Sequence, residues 1–401
     1  MQKKDRYIVI MAGGRGERFW PVSRERKPKQ LITLLGNRSF LQQTVDRVKP
    51  IVPLENILII TNAVQAASVR KQLPELPNRN IIGEPCGRDT CAAVALGAAL
   101  VGGRSENAVM AVLPADHVIP DEARFRSVLL DSMRLAKREP ALVTIGIKPH
   151  EPATGYGYIQ TGTKLRSATA KALKSTFFSA KKFVEKPNLA TAKRYLKSGN
   201  YRWNAGMFIW SYETIANELQ RLQPKLFTVA EKWRRIRGLA KLNAALARDY
   251  PGLEKISVDY AIMENARNIV CADGVFGWDD LGSWPALARH VRADKAGNSS
   301  VADLVQIDSA DNVIFDARTR NRTPIALVGM SETIVVQTDD ATMVAAKSES
   351  QKIKQLVALL ANDKRFAHLV RLAKKEGRTS ESVKQIESKR LAKWYVRRID
   401  R

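Results

Sequence analysis

The chain has almost no cysteine: Cys86, Cys91 and Cys271 are the only three among 401 residues. Three thiols cannot build a disulfide framework, and their spacing matches no metal-ligand pattern. Histidine is equally scarce, and His117, His150, His290 and His368 are scattered. A structural metal site of thiolates and imidazoles is therefore not expected. No run of about 18 apolar residues occurs, which excludes a membrane-spanning helix. The first apolar stretch, Tyr7-Ile8-Val9-Ile10, is too short for the core of a secretion signal and no cleavage site follows it. A cytoplasmic protein is expected.

Acidic residues are also in short supply. There are 40 Asp and Glu against 66 Lys and Arg, a net charge of +26. Such a balance suits polyanionic partners: nucleic acid, an anionic membrane surface, or heavily phosphorylated small molecules. The excess is spread along the chain, with a local surplus in residues 361–401, where 13 basic residues face 5 acidic ones. No base-reading motif or aromatic-interleaved repeat accompanies it, so no nucleic-acid partner is expected.

What remains is ordinary globular material, 45% hydrophobic and 26% charged. The length implies one large domain plus a smaller one. Apolar strand-like runs at residues 7–11, 57–61, 81–82, 108–113 and 142–147 alternate with helical patterns at 39–48, 63–73, 90–101 and 122–138. Thr90 reads as the N-cap of the third helix. Strands separated by helices predict an α/β fold, a doubly wound, mostly parallel, Rossmann-like sheet. Residues 156–161 and 183–184 read as strands of a lid-like insertion. Residues 207–210 form another short strand, and 212–248 are largely helical. Beyond Trp284-Pro285, short apolar runs with Gly, Asp and Asn turns predict a small β-rich domain, and a helix starts near Ser350. The expected divisions are 1–295, 296–360 and a basic, helical tail 361–401.

Open α/β sheets bind ligands beyond the carboxyl ends of their strands. The loop after the first strand, Ala12-Gly13-Gly14-Arg15-Gly16-Glu17-Arg18, is placed there. Its glycines let backbone N–H groups close around a phosphate. The loop is neither a Walker A motif nor the dinucleotide fingerprint. Arg24 to Lys29 add cations for a polyphosphate, although Arg26 and Lys27 read as a solvated charge run. Asp116, in Leu113-Pro114-Ala115-Asp116-His117, stands at another strand end.

Gly13-Gly14-x-Gly16-x-Arg18-x-Trp20-Pro21-x-Ser23-Arg24 with Pro28-Lys29-Gln30 resembles the signature of mannose-1-phosphate guanylyltransferases, members of the sugar-nucleotide pyrophosphorylase superfamily. The resemblance runs in order from about residue 6 to about residue 360. It implies transfer of GMP from GTP to mannose 1-phosphate, a Mg²⁺ cofactor, a β-helix-like C-terminal domain and a homodimer. Arg18, Lys29, Asp116 and Asp280 are the implied catalytic residues, with Asp116 and Asp280 holding the metal. Ala12, Gly13, Gly14, Gly16, Arg18, Lys29, Glu84, Arg88 and Asp116 would bind the nucleotide. Glu84 lies in Gly83-Glu84-Pro85-Cys86-Gly87-Arg88, and its carboxylate can accept from guanine N1–H and the 2-amino group together.

Gly155, Glu185, Lys186, Asn204 and Asp280 would bind the sugar phosphate. Asp279 is read as a neighbour rather than a ligand, His117 as a structural hydrogen-bonder and Asp259 as structural. Trp203, Phe208 and Trp210 are read as core. Two rivals stay open. One is a related transferase for another hexose 1-phosphate or nucleotide. The other is a catalytically silent homologue, which should have lost a metal carboxylate or the loop lysine. No fused isomerase activity is expected.

Overall fold

The computed structural model describes residues 1–371. Most of the predicted basic tail, from residue 372 onward, lies outside the described residues. Nine strands form one sheet: β1 (Arg6–Ala12), β2 (Ile57–Asn62), β3 (Ile81–Glu84), β4 (Val109–Pro114), β5 (Leu142–Ile147), β6 (Tyr158–Lys164), β7 (Phe177–Val184), β8 (Tyr201–Ser211) and β9 (Ile269–Asp273). Their order is β3-β2-β1-β4-β8-β5-β9-β7-β6. β7 and β8 run against the other seven. β8 is inserted between β4 and β5, so it separates the sheet's two parallel sections.

Period-2 alternation explains how β1 serves two cores. Ile8, Ile10 and Ala12 pack with Leu41, Val45, Leu129 and Met133 on one face. Tyr7 and Val9 pack with Val94, Leu96 and Trp233 on the other. The covering helices begin where their caps dictate. Ser39 accepts from the Gln42 N–H while Gln42 Oε1 accepts from the Ser39 N–H, a capping box that starts Phe40–Val48. Asp121 accepts from the Arg124 N–H to start Glu122–Arg138.

Four expectations change. The strands expected at 156–161 and 183–184 as a lid-like insertion are β6 and β7 of the main sheet, where they pair with β8 and β9. Thr90 is not a cap: the helix spans Asp89–Gly102, and the Thr90 hydroxyl accepts from the Val258 N–H. A tertiary donor has taken the oxygen that would have closed the first turn. The short strand expected at 207–210 is an eleven-residue strand, β8, because its polar first half, Tyr201 to Asn204, pairs with β5 and β6. β9 has no counterpart among the expected strands. Its five residues lie in a stretch without helical or alternating pattern, and pairing with β5 and β7 creates it.

Six further strands, β10 (Ser299–Val301), β11 (Leu304–Ile307), β12 (Val313–Asp316), β13 (Ile325–Val328), β14 (Thr333–Gln337) and β15 (Thr342–Ala346), form a four-stranded sheet and a two-stranded one. All pairs are parallel except β14 with β15. Buried asparagines stack their coils. Asn312 donates its N–H and its amide to Asn298 Oδ1, and Asn312 Oδ1 accepts from the Thr333 N–H. A third apolar cluster joins the two parts. Phe19, Trp20, Phe40 and Trp284 meet Val313, Phe315, Ile353 and Val357. The Trp284 ring centroid lies 5.1 Å from that of Phe19 and 5.2 Å from that of Phe315. The helix Ile353–Asn362 thereby packs on the short turn Glu17–Phe19 of the glycine-rich loop.

Candidate active site

The glycine-rich loop leaves the carboxyl end of β1 and is braced from below. Gln30 Nε2 donates to the carbonyls of Ala12, at 2.5 Å, and Gly14, at 3.0 Å. Thr61 Oγ1 also donates to Ala12, at 3.0 Å. Gly16 has φ +61°, and a Cβ there would stand 2.7 Å from the Lys29 backbone nitrogen. The loop can therefore lie against Lys29 only because residue 16 is glycine.

Lys29 is 5% exposed. Its Nζ donates to Asp116 Oδ2 at 2.8 Å and to the Asp280 carbonyl at 2.5 Å. Burial, the largest single influence, pushes the Asp116 carboxyl up, but the Lys29 ammonium together with His117 and a backbone hydrogen bond holds the group below the usual carboxylate range. Asp280 Oδ1 accepts from the Tyr156 hydroxyl at 3.0 Å and from the Gly282 N–H at 3.1 Å. The predicted Gly16, Arg18, Lys29, Asp116 and Asp280 converge on one cleft of about 820 Å³, lined also by Arg15, Lys255 and Lys354.

Neighbouring acid–base candidates separate by environment. Asp279 turns away from the cleft. It accepts from Arg289, His290 and the Leu281 N–H, which hold it below its ordinary value against the opposing effect of burial. His117 Nδ1 accepts from Trp278 Nε1. Burial drives its imidazole down to about 4, against the pull of Asp116 and Asp280. A neutral ring held in this way is a structural hydrogen-bonder near pH 7.

A second cluster adjoins the first. Lys186 Nζ donates to Glu185 Oε1 at 2.6 Å. Asn204 Nδ2 donates to Asp259 Oδ1 at 2.8 Å, while Asn204 Oδ1 accepts from Thr144 Oγ1 and the Gly206 N–H. These bonds fix the amide's orientation and, among the described residues, leave one N–H of Asn204 free to donate. Asp259 is pushed up to about 6, first by burial and then by Glu185. The loop at 155–158 links the clusters, since Gly157 accepts from the Asn204 N–H and Tyr156 reaches Asp280. Gly155 stands in open space.

The remaining predicted residues lie apart from the cleft lining. Glu84 is 8% exposed at the end of β3. Its Oε1 accepts from the Tyr250 hydroxyl at 2.5 Å, and its Oε2 faces Gly13, where a Cβ would stand 3.0 Å away. Burial raises its carboxyl to about 7, partly offset by Tyr250. Arg88 donates to the carbonyls of Tyr250 and Pro251. Sequence reasoning missed Tyr250, Lys255 and Lys354. Each is a common residue in an unremarkable local pattern, brought in by chain contacts more than a hundred residues apart.

A glycine-rich, cation-lined cleft with two carboxylates, one just past the end of a parallel strand and one in the loop after β9, defines an enzyme that handles phosphorylated nucleotides. The family described as nucleotidyl transferase matches residues 7–296, and that described as MannoseP isomerase/GMP-like beta-helix domain matches residues 302–360. The chain is 37% identical over 371 residues to the mannose-1-phosphate guanylyltransferase of Salmonella montevideo, covering 90% of this chain and 75% of that one. It is 36% identical over 353 residues to the xanthan biosynthesis protein XanB of Xanthomonas campestris pv. campestris strain B100, covering 87% and 72%. A crystal structure described as mannose-1-phosphate geranyltransferase from Thermus thermophilus aligns with a TM-score of 0.76 at 33% identity, covering 89% of this chain and 99% of that one. The chain belongs to the nucleotidyl transferase family, in its mannose-1-phosphate guanylyltransferase group.

Proposed function

We propose that the protein transfers GMP from GTP to mannose 1-phosphate, forming GDP-mannose and pyrophosphate. The observation that carries this reading is the junction at Lys29. Lys29 lies with its backbone against Gly16 of the glycine-rich loop, and its buried ammonium donates to Asp116 and to the Asp280 carbonyl, beside the Glu185–Lys186–Asn204 cluster. A phosphomonoester has a second pKa near ~6, so mannose 1-phosphate is a mostly ionised nucleophile at neutral pH. No general base is required, in keeping with the neutral His117.

The catalytic work is positioning and charge neutralisation. In this reading Arg18 and Lys29 hold the nucleotide phosphates, with Ala12, Gly13, Gly14 and Gly16 supplying loop backbone. Glu84 accepts from guanine, and Arg88 supports it by fixing the Tyr250–Pro251 backbone. Gly155, Glu185 and Asn204 hold the sugar ring, and Lys186 steers its phosphate.

Asp116 and Asp280 offer two hard oxygen donors on one cleft, and no group of three metal-ligating side chains occurs among the described residues. Mg²⁺ is commonly held by one or two carboxylates with phosphates and water completing the shell, so this donor set fits it. When bound, Mg²⁺ would screen the negative charge of the reacting phosphates. Among the described residues no helix is long and apolar enough to cross a membrane. A cytoplasmic location, a homodimeric assembly and a supply of product to polysaccharide synthesis belong to the same reading and rest on family resemblance.

Lys29→Ala tests the junction. It should lower kcat/KM by more than about 100-fold, as expected for loss of one preorganised electrostatic donor. Near-normal turnover by a folded Lys29→Ala protein would contradict the assignment.

A further inference from the structure

We infer that Lys354, on the helix that follows the C-terminal β-domain, binds the pyrophosphate half of the nucleotide in the transferase cleft. The inference rests on the proposed function, and its test separates the two. Lys354 lines the same cleft as Arg15, Gly16, Arg18, Lys29, Asp116 and Asp280. It comes from Ile353–Asn362, which the apolar contacts of Ile353 and Val357 seat against Phe19 and Trp20. The helix therefore cannot swing away without exposing part of that cluster.

The direction of the side chain follows from this seating. Ile353 and Val357 are one turn apart and buried, whereas Lys354 is exposed beside them and reaches the cleft. Its ammonium makes no hydrogen bond or ion pair among the described residues. By contrast, Lys352 on the preceding turn is paired with Glu349 at 2.5 Å. A free ammonium at the mouth of a phosphate cleft is a charge without its counter-ion.

The cleft's charges divide the work. Lys29 lies buried between Asp116 and Asp280, where the metal and the reacting phosphorus belong in the proposed function. Lys354 approaches from the side of the Glu17–Phe19 turn, across the glycine-rich loop. The part of the nucleotide left for it is the β- and γ-phosphates. These depart together as pyrophosphate, and they gain negative charge as the bond to the α-phosphorus breaks. A Lys point charge suits that group. The β-domain then does more than cover the catalytic domain: through Lys354 it supplies one wall of the active site.

The test compares Lys354→Gln, Lys354→Arg and the neighbouring control Lys352→Gln in the full-length protein. Forward KM for GTP, reverse KM for pyrophosphate, and KM for mannose 1-phosphate and GDP-mannose are measured, with Tm as a check on folding. Lys354→Gln should raise KM for GTP and for pyrophosphate roughly 10-fold, the effect of losing one exposed charge-assisted contact. It should leave KM for the two mannose substrates within about twofold, and Lys354→Arg should retain most of the affinity. A Lys354→Gln protein with wild-type KM values, or a Lys352→Gln protein showing the same loss, overturns the inference. Calorimetric titration with pyrophosphate alone keeps the question separate from substrate choice. If the wild type binds pyrophosphate and Lys354→Gln binds it about tenfold more weakly, the inference stands even where the wild type makes no GDP-mannose. That last outcome would sink only the proposed function.

Discussion

Glu84 should make the folded protein less stable as the solution turns alkaline, and Glu84→Gln should remove that dependence. The carboxyl is buried, and among the described residues its side-chain partner is the Tyr250 hydroxyl. Its ordinary value of 4.5 applies in the unfolded chain, and the fold raises it to about 7. A group raised in this way stabilises the fold below its unfolded value, and that contribution is lost as pH climbs through the folded value. At about 1.4 kcal/mol per pH unit, a gap of roughly 2.5 units becomes a cost of ~3 kcal/mol at alkaline pH. Roughly 2.5 kcal/mol of it accumulates between about pH 5 and about pH 8.5.

Glutamine keeps the shape and can still accept from Tyr250, but it carries no charge. Urea unfolding of wild type and Glu84→Gln at both pH values gives a double difference from which other titrating groups cancel. The variant should gain about 2 to 3 kcal/mol on the wild type across that range. A double difference below about 0.5 kcal/mol would refute the assignment of a raised carboxyl to Glu84. If Glu84 also reads guanine, the stabilised variant should bind GTP more weakly, a trade of stability for a buried recognition charge.

Two further substitutions probe the loop and the carboxylate pair. Gly16→Ala should lower stability by roughly 2–4 kcal/mol, from the left-handed backbone and the overlap with Lys29. It should also cut turnover, and an alanine variant with wild-type Tm and kcat would refute the close approach. Asp280→Ala should lose more than about 100-fold in kcat/KM while Tm stays near wild type. Asp279→Ala should do the opposite, losing roughly 2–4 kcal/mol by stranding Arg289, His290 and the Leu281 N–H. Swapped phenotypes would reverse the roles given to these adjacent aspartates.

The parts of this fold that the chain announces are those set by local chemistry. The apolar run of β1 and the helices at 39–48 and 122–138 are legible as local pattern, and the structure adds the caps Ser39 and Asp121 at their starts. The glycine-rich loop and the carboxylate after β4 are legible too, because strand, turn and charge follow one another directly. The rest depends on distant partners. Thr90 looks like a cap until Val258 supplies a donor from 168 residues away. β9 exists because β5 and β7 offer it edges. Nothing local marks Tyr250 as the partner of Glu84, or Lys354 as a wall of the cleft. Asp279 and Asp280 could be told apart only weakly in sequence, since their difference is the direction in which each side chain leaves one backbone turn.

Substrate choice exposes the central claim most directly. Pyrophosphate release by the purified protein with Mg²⁺ should be followed for mannose 1-phosphate, glucose 1-phosphate and other hexose 1-phosphates, each with GTP, ATP, UTP and CTP. Strong preference for mannose 1-phosphate with GTP is predicted, together with loss of release when Mg²⁺ is chelated. Preference for another pair, or no release from folded protein with any pair, would contradict the claim.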